Sequence, residues 1–361
     1  MERLLHIVEP TLESGAGHCH SFVSAFCGAG KNSGCSIRLY AGSGAYLPRL
    51  EEMGVRVVPW FHRRLRRPEA FLLFRRLLRE PGRLFLPTAT RADLSLLSLA
   101  ARGIIPPGKA FLYFHWFRPD ARKRAFLARM AGRQPGFAVL GPTQSVVDIF
   151  RECGFAKAEI APYPITPVDH DAGPESEDFR HLLFAGAARA DKGFPAVVGL
   201  VAWMASHNKA VPVTLQASPD HYDRYDPAVR AEVERLGKIA YPHLTVRPET
   251  LGAEEYADQF RGAVCLQPYA AADFADRLSG VTLDALSRGC PVVTMKGTWM
   301  GRVVERFEAG KAVAEAAPEA LFSAAEEILR DYGRYRRNAV RAGRALQEEL
   351  SAGRLFEIVT A

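Results

Sequence analysis

Short β-rich runs alternate with amphipathic runs of helical length almost from one end of the chain to the other. In the first half, strands are expected at Arg3–Val8, Ser36–Tyr40, Val55–Trp60, Arg83–Pro87, Lys109–His115, Phe137–Leu140 and Glu159–Pro162. Ser21–Lys31, Pro68–Arg79, Ala92–Arg102, Pro119–Gly132 and Ser145–Cys153 lie between them, with length and apolar spacing that suit helices. Alternation of this kind argues for βαβ units and a parallel sheet.

The rhythm breaks at 165–180, a polar stretch rich in acidic residues with Pro and Gly, which reads as an interdomain linker. It then restarts, with strands expected at His181–Ala185, Val211–Gln216, Leu244–Arg247, Ala263–Leu266, Pro291–Met295 and Ala312–Ala314. From about Pro318 the chain carries Ala, Arg, Glu and Leu at helical spacing. The expected fold class is therefore α/β, with two Rossmann-like, doubly wound parallel sheets. Residues 1–164 are expected to form an N-terminal domain, 181–340 a second domain, and 341–361 a helical segment that packs back on the first. Such sheets bind ligands beyond the carboxyl ends of their strands.

Composition adds constraints on partners. At 361 residues the chain suits two domains, and 48% hydrophobic with 24% charged residues is ordinary for a globular protein. No apolar run reaches the roughly 18 residues of a membrane span. The start, Met1 to Pro10, reads as a first strand rather than a signal peptide, so a cytoplasmic location is expected. The six cysteines form no C-x-x-C pair and read as free thiols in a reducing compartment. His18-Cys19-His20 is a poor metal site, because neighbours in sequence point different ways. A net charge of +7 favours anionic partners, and no nucleic-acid module is recognisable.

Four local features carry chemistry. Between the first strand of the second domain and its first helix lies Phe184 to Gly193. Gly186 and Gly193 permit a tight turn there, and Arg189 and Lys192 can neutralise phosphate oxygens. Next, Ser279 is an N-cap, Gly280 admits close approach of a ligand, Val281 to Ser287 is helical, and Gly289 ends the helix before Pro291. Such a helix start is an anion site built of backbone N–H groups. One turn on, the carboxylate of Asp284 can accept hydrogen bonds from two adjacent sugar hydroxyls. Third, Gly15 and Gly17 follow the first strand; no G-x-G-x-x-G spacing is present, which disfavours NAD. Fourth, His115 ends a buried aromatic strand.

From Gly186 to about Ala314 the chain resembles the donor domain of the retaining GT-B glycosyltransferases of family four. Gly186, Lys192-Gly193, Asp284-Ala285, Gly289 and Pro291-Val292-Val293 carry the resemblance, together with Pro268-Tyr269 and Arg277 to Gly280. It implies a GT-B fold and a metal-independent hexosyltransferase that retains anomeric configuration. The leaving phosphate draws the proton from the acceptor hydroxyl, and there is no cofactor. By resemblance Arg189, Lys192 and His115 are the catalytic candidates. Gly15, Gly17, Gly186, Tyr269, Asp276, Arg277, Ser279, Gly280, Val281 and Asp284 hold a UDP- or GDP-sugar, whose base is read around Leu244–Thr250. The pattern departs in three places: Ala187 stands where the family has Arg, and Asp276 and Asp284 where it has Glu.

The expected acceptor is a glycan or lipid-linked molecule of bacterial surface polysaccharide or glycolipid synthesis. Arg63, Arg64, Arg66 and Arg67, followed by Phe and Leu at helical spacing, form a basic amphipathic stretch suited to an anionic membrane surface at the cytoplasmic leaflet, or equally to an ordinary Rossmann helix. Two other functions fit the same features: a GT-B nucleotide-sugar epimerase, and a degenerate GT-B chain acting as a binding or scaffold subunit.

Overall fold

The structure, a computed structural model, describes residues 3–15, 17–164, 178–219 and 225–361. Most of the expected linker, 165–177, lies outside the described residues. The chain divides into two compact units, Met1–Pro167 with Glu349–Ala361, and Val168–Glu348.

Unit 1 runs β1 (Arg3–Val8), α1 (Gly17–Gly30), β2 (Cys35–Gly42), α2 (Pro48–Glu52), β3 (Arg56–Phe61), α3 (Arg66–Leu77) and β4 (Arg83–Leu86). It continues with α4 (Arg91–Ala100), β5 (Ala110–Tyr113), α5 (Ala121–Arg133), β6 (Ala138–Gly141), α6 (Gln144–Glu152) and β7 (Lys157–Ile160). Unit 2 begins with β8 (His181–Phe184), α7 (Phe194–Ser206), β9 (Val213–Gln216), α8 (Pro227–Leu236), β10 (Leu244–Arg247), α9 (Ala253–Asp258) and β11 (Ala263–Gln267). There follow α10 (Ala271–Phe274), α11 (Gly280–Ser287), β12 (Val292–Met295), α12 (Trp299–Phe307), β13 (Gly310–Val313), α13 (Pro318–Arg330) and α14 (Tyr332–Glu349). A last helix, α15 (Ala352–Thr360), belongs to unit 1.

The strands order as β3-β2-β1-β4-β5-β6-β7 in unit 1 and β10-β9-β8-β11-β12-β13 in unit 2, all paired in parallel. Parallel strands need crossover helices, and those helices bury both faces of each sheet. In unit 1, Leu73, Phe74, Leu94, Leu112 and Phe150 fill one side, and Leu5, Ile7, Phe22, Phe26 and Phe85 the other. Each chain order reverses once, between β1 and β4 and between β8 and β11. There the connections leave on opposite faces and open a crevice at the strands' carboxyl ends.

Element limits differ from expectation where tertiary contacts override local signals. Helix α1 starts at Gly17, a turn before Ser21, because buried Phe22, Val23 and Phe26 anchor it to the sheet despite its leading glycine. Helix α3 starts two residues before Pro68, which stands in the first turn where its missing N–H costs no bond. Strand β5 stops at Tyr113, so His115 lies just past the strand. Strand β13 opens at Gly310 rather than Ala312; a Cβ at 310 would lie 1.9 Å from the Val292 carbonyl oxygen, so only glycine lets these backbones meet.

Candidate functional site

In unit 2 the turn after β8 is shaped by two glycines in the left-handed region, Gly186 at φ 96° and Gly193 at φ 72°. Gly186 donates its N–H to Gln216 Oε1 at 2.7 Å, which pins the turn to β9. Gly193 abuts the Pro268 carbonyl oxygen, and a Cβ there would lie 2.1 Å from it. Ala270 N–H donates to the Asp191 carbonyl at 3.0 Å, so the turns after β8 and β11, on either side of the switch point, form one bonded unit.

Three cations and one carboxylate gather on this turn. Arg189 forks onto Asp191, with Nε at 2.8 Å and Nη2 at 2.6 Å from its two oxygens. Arg277 approaches the same carboxylate at 3.7 Å and lies 4.8 Å over the Phe274 ring. The Lys192 ammonium folds back over Gly186, 3.4 Å from where a Cβ would stand, and has no carboxylate within salt-bridge distance among the described residues. Burial, reinforced by Arg189 and offset in part by Asp191, lowers its pKa to about 8.

Helix α11 begins beside the same turn, with Val281 Cγ2 at 3.7 Å from the Cβ position of Gly186. Ser279 caps it by accepting the Thr282 N–H at 3.3 Å, and nothing lies within 4 Å of a Cβ at Gly280. The Gly280 and Val281 amides head the helix, where N–H groups have no partner within it, and Gly280 puts no side chain beside them. The helix is held from below: buried Gln267 accepts from Thr282 Oγ1 at 2.5 Å, and its carbonyl accepts from Thr294 Oγ1 at 3.0 Å. Polar residues are unusual in the middle of a parallel sheet, and these two bonds satisfy them.

Asp284 stands one turn further on, its side chain 42% exposed. Tyr256 of α9 donates its hydroxyl to Asp284 Oδ2 at 3.1 Å, and Arg288 Nη1 is 3.8 Å from Oδ1. Burial raises the Asp284 pKa, against the pull of Arg288 and Tyr256. Tyr269 is fully buried as a wall under the turn, with its ring 4.7 Å from Phe274 and the Lys192 ammonium 6.0 Å away. Asp276 turns outward to Arg302 of α12 at 2.8 Å.

The remaining candidates belong to unit 1. Gly15 is exposed in the loop after β1, and Gly17 opens α1. That loop hangs on Glu9, fully buried, which accepts from Thr11 Oγ1 at 2.6 Å and from the Thr88 hydroxyl; burial raises its pKa despite those bonds. His115 donates Nε2–H to the Pro87 carbonyl at 2.7 Å and packs against Phe22, Tyr113 and Tyr163. Arg63, Arg64 and Arg67 are exposed and Arg66 is half-buried at the start of α3, beside Leu65, 53% exposed, and Leu72, 60% exposed.

Sequence reasoning brought Gly186, Lys192, Arg277, Ser279, Gly280, Val281 and Asp284 to this region of unit 2, where the structure also gathers them. It missed Tyr256, Gln216 and the pairing of Asp191. No periodic signal links Tyr256 to a carboxylate 28 residues later, and the Arg189–Asp191 fork depends on an irregular turn.

No family model and no curated protein sequence matches the chain. Solved structures do resemble it over nearly its whole length. Sucrose-phosphate synthase from Thermosynechococcus elongatus shares 16% identity at a TM-score of 0.68, covering 99% of this chain and 96% of that one. HepE of Anabaena, in complex with UDP and glucose, shares 14% at 0.69, with 99% and 98% covered. WaaG, a glycosyltransferase involved in lipopolysaccharide biosynthesis, shares 13% at 0.66, with 99% and 100% covered. With two all-parallel α/β units, these likenesses show the fold: it is GT-B.

Proposed function

We propose that this GT-B chain is a glycosyltransferase whose unit 2 binds a nucleotide-diphosphate sugar. One observation carries the reading: Lys192, Arg277 and the first amides of α11 gather at the Gly186 turn, with Asp284 one turn beyond. This is the arrangement a diphosphate with a neighbouring sugar requires: cations and N–H donors for the phosphates, and a carboxylate to accept from hydroxyls. HepE, similar in fold, is a complex with UDP and glucose, so UDP-sugars are the first donors to test and GDP-sugars the next.

During transfer, negative charge builds on the departing diphosphate. Preorganised Lys192, Arg277 and the α11 amides stabilise that charge more than the neutral sugar bond it replaces. Arg189, whose fork is taken up by Asp191, acts by neutralising that carboxylate beside the phosphate-binding cations. This is the step in which Ala187, where the family has Arg, matters, and Arg277 supplies the missing cation. We infer transfer of a hexose with retention and without a divalent cation, the leaving phosphate taking the acceptor's proton.

Thermal unfolding with a panel of UDP-, GDP- and dTDP-sugars tests the reading. A donor-specific rise in melting temperature is expected, and Lys192→Ala should weaken binding by about tenfold or more, the worth of a charge-assisted hydrogen bond. No rise with any nucleotide would favour a scaffold subunit, a reading supported by Ala187 and by the pairing of Arg189. Conversion of the sugar without an acceptor would favour an epimerase.

The acceptor we assign is a glycan or lipid-linked glycan of surface polysaccharide or glycolipid synthesis. Exposed Leu65 and Leu72 beside Arg63, Arg64 and Arg67 support contact with an anionic membrane surface, and among the described residues no helix is long and apolar enough to cross one. Sedimentation with anionic liposomes at low salt should carry the protein down; retention in the supernatant refutes the membrane contact.

A further inference from the structure

Asp284 does not stand alone. Its Oδ2 receives the Tyr256 hydroxyl at 3.1 Å, while its own carbonyl oxygen accepts from Arg288 Nη1 at 3.2 Å. The Tyr256 ring is set edge-on against Phe260 at 5.3 Å, and the Arg288 guanidinium lies 5.8 Å from the same Phe260 ring. Helices α9 and α11 thus meet through a small cage of Tyr256, Phe260 and Arg288 around one carboxylate. Asp284 is a short side chain with two torsions, and unheld it could offer either oxygen to a ligand.

We propose that Tyr256 is a positioning residue of the donor site: by donating to Oδ2 it fixes the carboxylate so that Oδ1, with Arg288 Nη1 3.8 Å away, is the oxygen that reads one hydroxyl of the nucleotide's ribose. This rests on the donor-site reading above and narrows it, from a carboxylate that takes two adjacent hydroxyls to one that selects between them. The phenol can only donate to a carboxylate, so the pair is fixed in direction. Burial raises the phenol's pKa well above its ordinary value, which favours the neutral form that donates. An acceptor fixed in direction discriminates between hydroxyls, because a ligand lacking the matching one forfeits a charge-assisted hydrogen bond.

Calorimetric titration of the full chain with UDP and GDP, and with their 2′-deoxy and 3′-deoxy forms, tests the assignment. In the wild type one of the two deoxy forms should bind about tenfold more weakly than its parent, and the other within about threefold. Tyr256→Phe keeps the ring against Phe260 and frees the carboxylate, so the tenfold penalty should shrink below about threefold. In Asp284→Asn the Tyr256 hydroxyl holds the amide oxygen and the NH2, which cannot accept, stands in Oδ1's place, so the parent nucleotide should fall to the level of the disfavoured deoxy form. Equal penalties for both deoxy forms in the wild type overturn the single-hydroxyl assignment. An undiminished penalty in Tyr256→Phe, with a melting temperature close to that of the wild type, overturns the role of Tyr256. Absence of binding by any nucleotide to the wild type instead refutes the donor-site reading on which the proposal stands.

Discussion

Lys192 is held as a cation under strain from its surroundings, and that has a measurable sign. Its folded pKa of about 8 lies below the ordinary lysine value near 10.5. Only the ammonium can bridge phosphate oxygens, so donor affinity should be flat below pH 8 and fall above it as the proton leaves. Bound phosphate favours the cation and lifts its pKa, so kcat at saturating donor should persist to higher pH than KM does. The expected signature in initial rates is a KM that rises above about pH 8 while kcat holds. The folding contribution runs the other way. Between pH 8 and 10.5 the unfolded chain holds a proton that the folded one has released, so this residue's contribution to stability grows as pH rises. Lys192→Met should remove both slopes together. Gly193 sets a second residue-scale limit. At φ 72°, with a Cβ 2.1 Å from the Pro268 oxygen, Gly193→Ala should lower stability by roughly 2 kcal/mol or more, read by urea unfolding.

Helix α11 is the element on which the donor reading turns. Ser279→Ala should cost about 1 kcal/mol of stability in urea unfolding, the usual worth of an N-cap, and should weaken donor binding as the first turn frays. This element was largely legible in the sequence. Ser279 is a capping residue, Val281 to Ser287 has helical spacing, and Gly289, at φ 68°, closes the helix in the left-handed region that favours glycine. The alternation of strands and helices was legible for the same reason, since each element declares itself within a few residues. What joins elements was not. Asp276 fits a family position by spacing but is drawn to Arg302, 26 residues on, by a helix whose packing no local pattern encodes. The clasp of Tyr256 on Asp284 and the anchoring of Gly186 by Gln216 are likewise contacts between elements distant in sequence. The first turn of α1 has no local signal either, because Gly17 is a poor helix former and only the packing of Phe22 and Phe26 outweighs it.

At the scale of the whole molecule, each unit has its own sheet and core, and the chain passes from unit 1 to unit 2 and back. Helix α15 makes the return: Leu355, Phe356 and Val359 are buried, and Phe356 meets Phe26 at 5.3 Å. Gly30 lets it approach, since a Cβ there would lie 2.3 Å from the Phe356 ring, and Arg83 Nη1 donates to the Val359 carbonyl at 2.9 Å. Phe356→Ala should cost about 3–5 kcal/mol, and in calorimetry should lower the transition of unit 1 while leaving that of unit 2 in place. The same helix bears on how the protein is made. Domains are commonly completed in the order in which they leave the ribosome, at about 5–20 residues per second. Here α15 is synthesised only after all of Val168–Glu348, so the apolar surface around Phe26 and Gly30 waits on the order of tens of seconds for its cover. Unit 2 can therefore finish folding before unit 1 does, and the nascent protein would present chaperones with a completed unit 2 and a still incomplete unit 1.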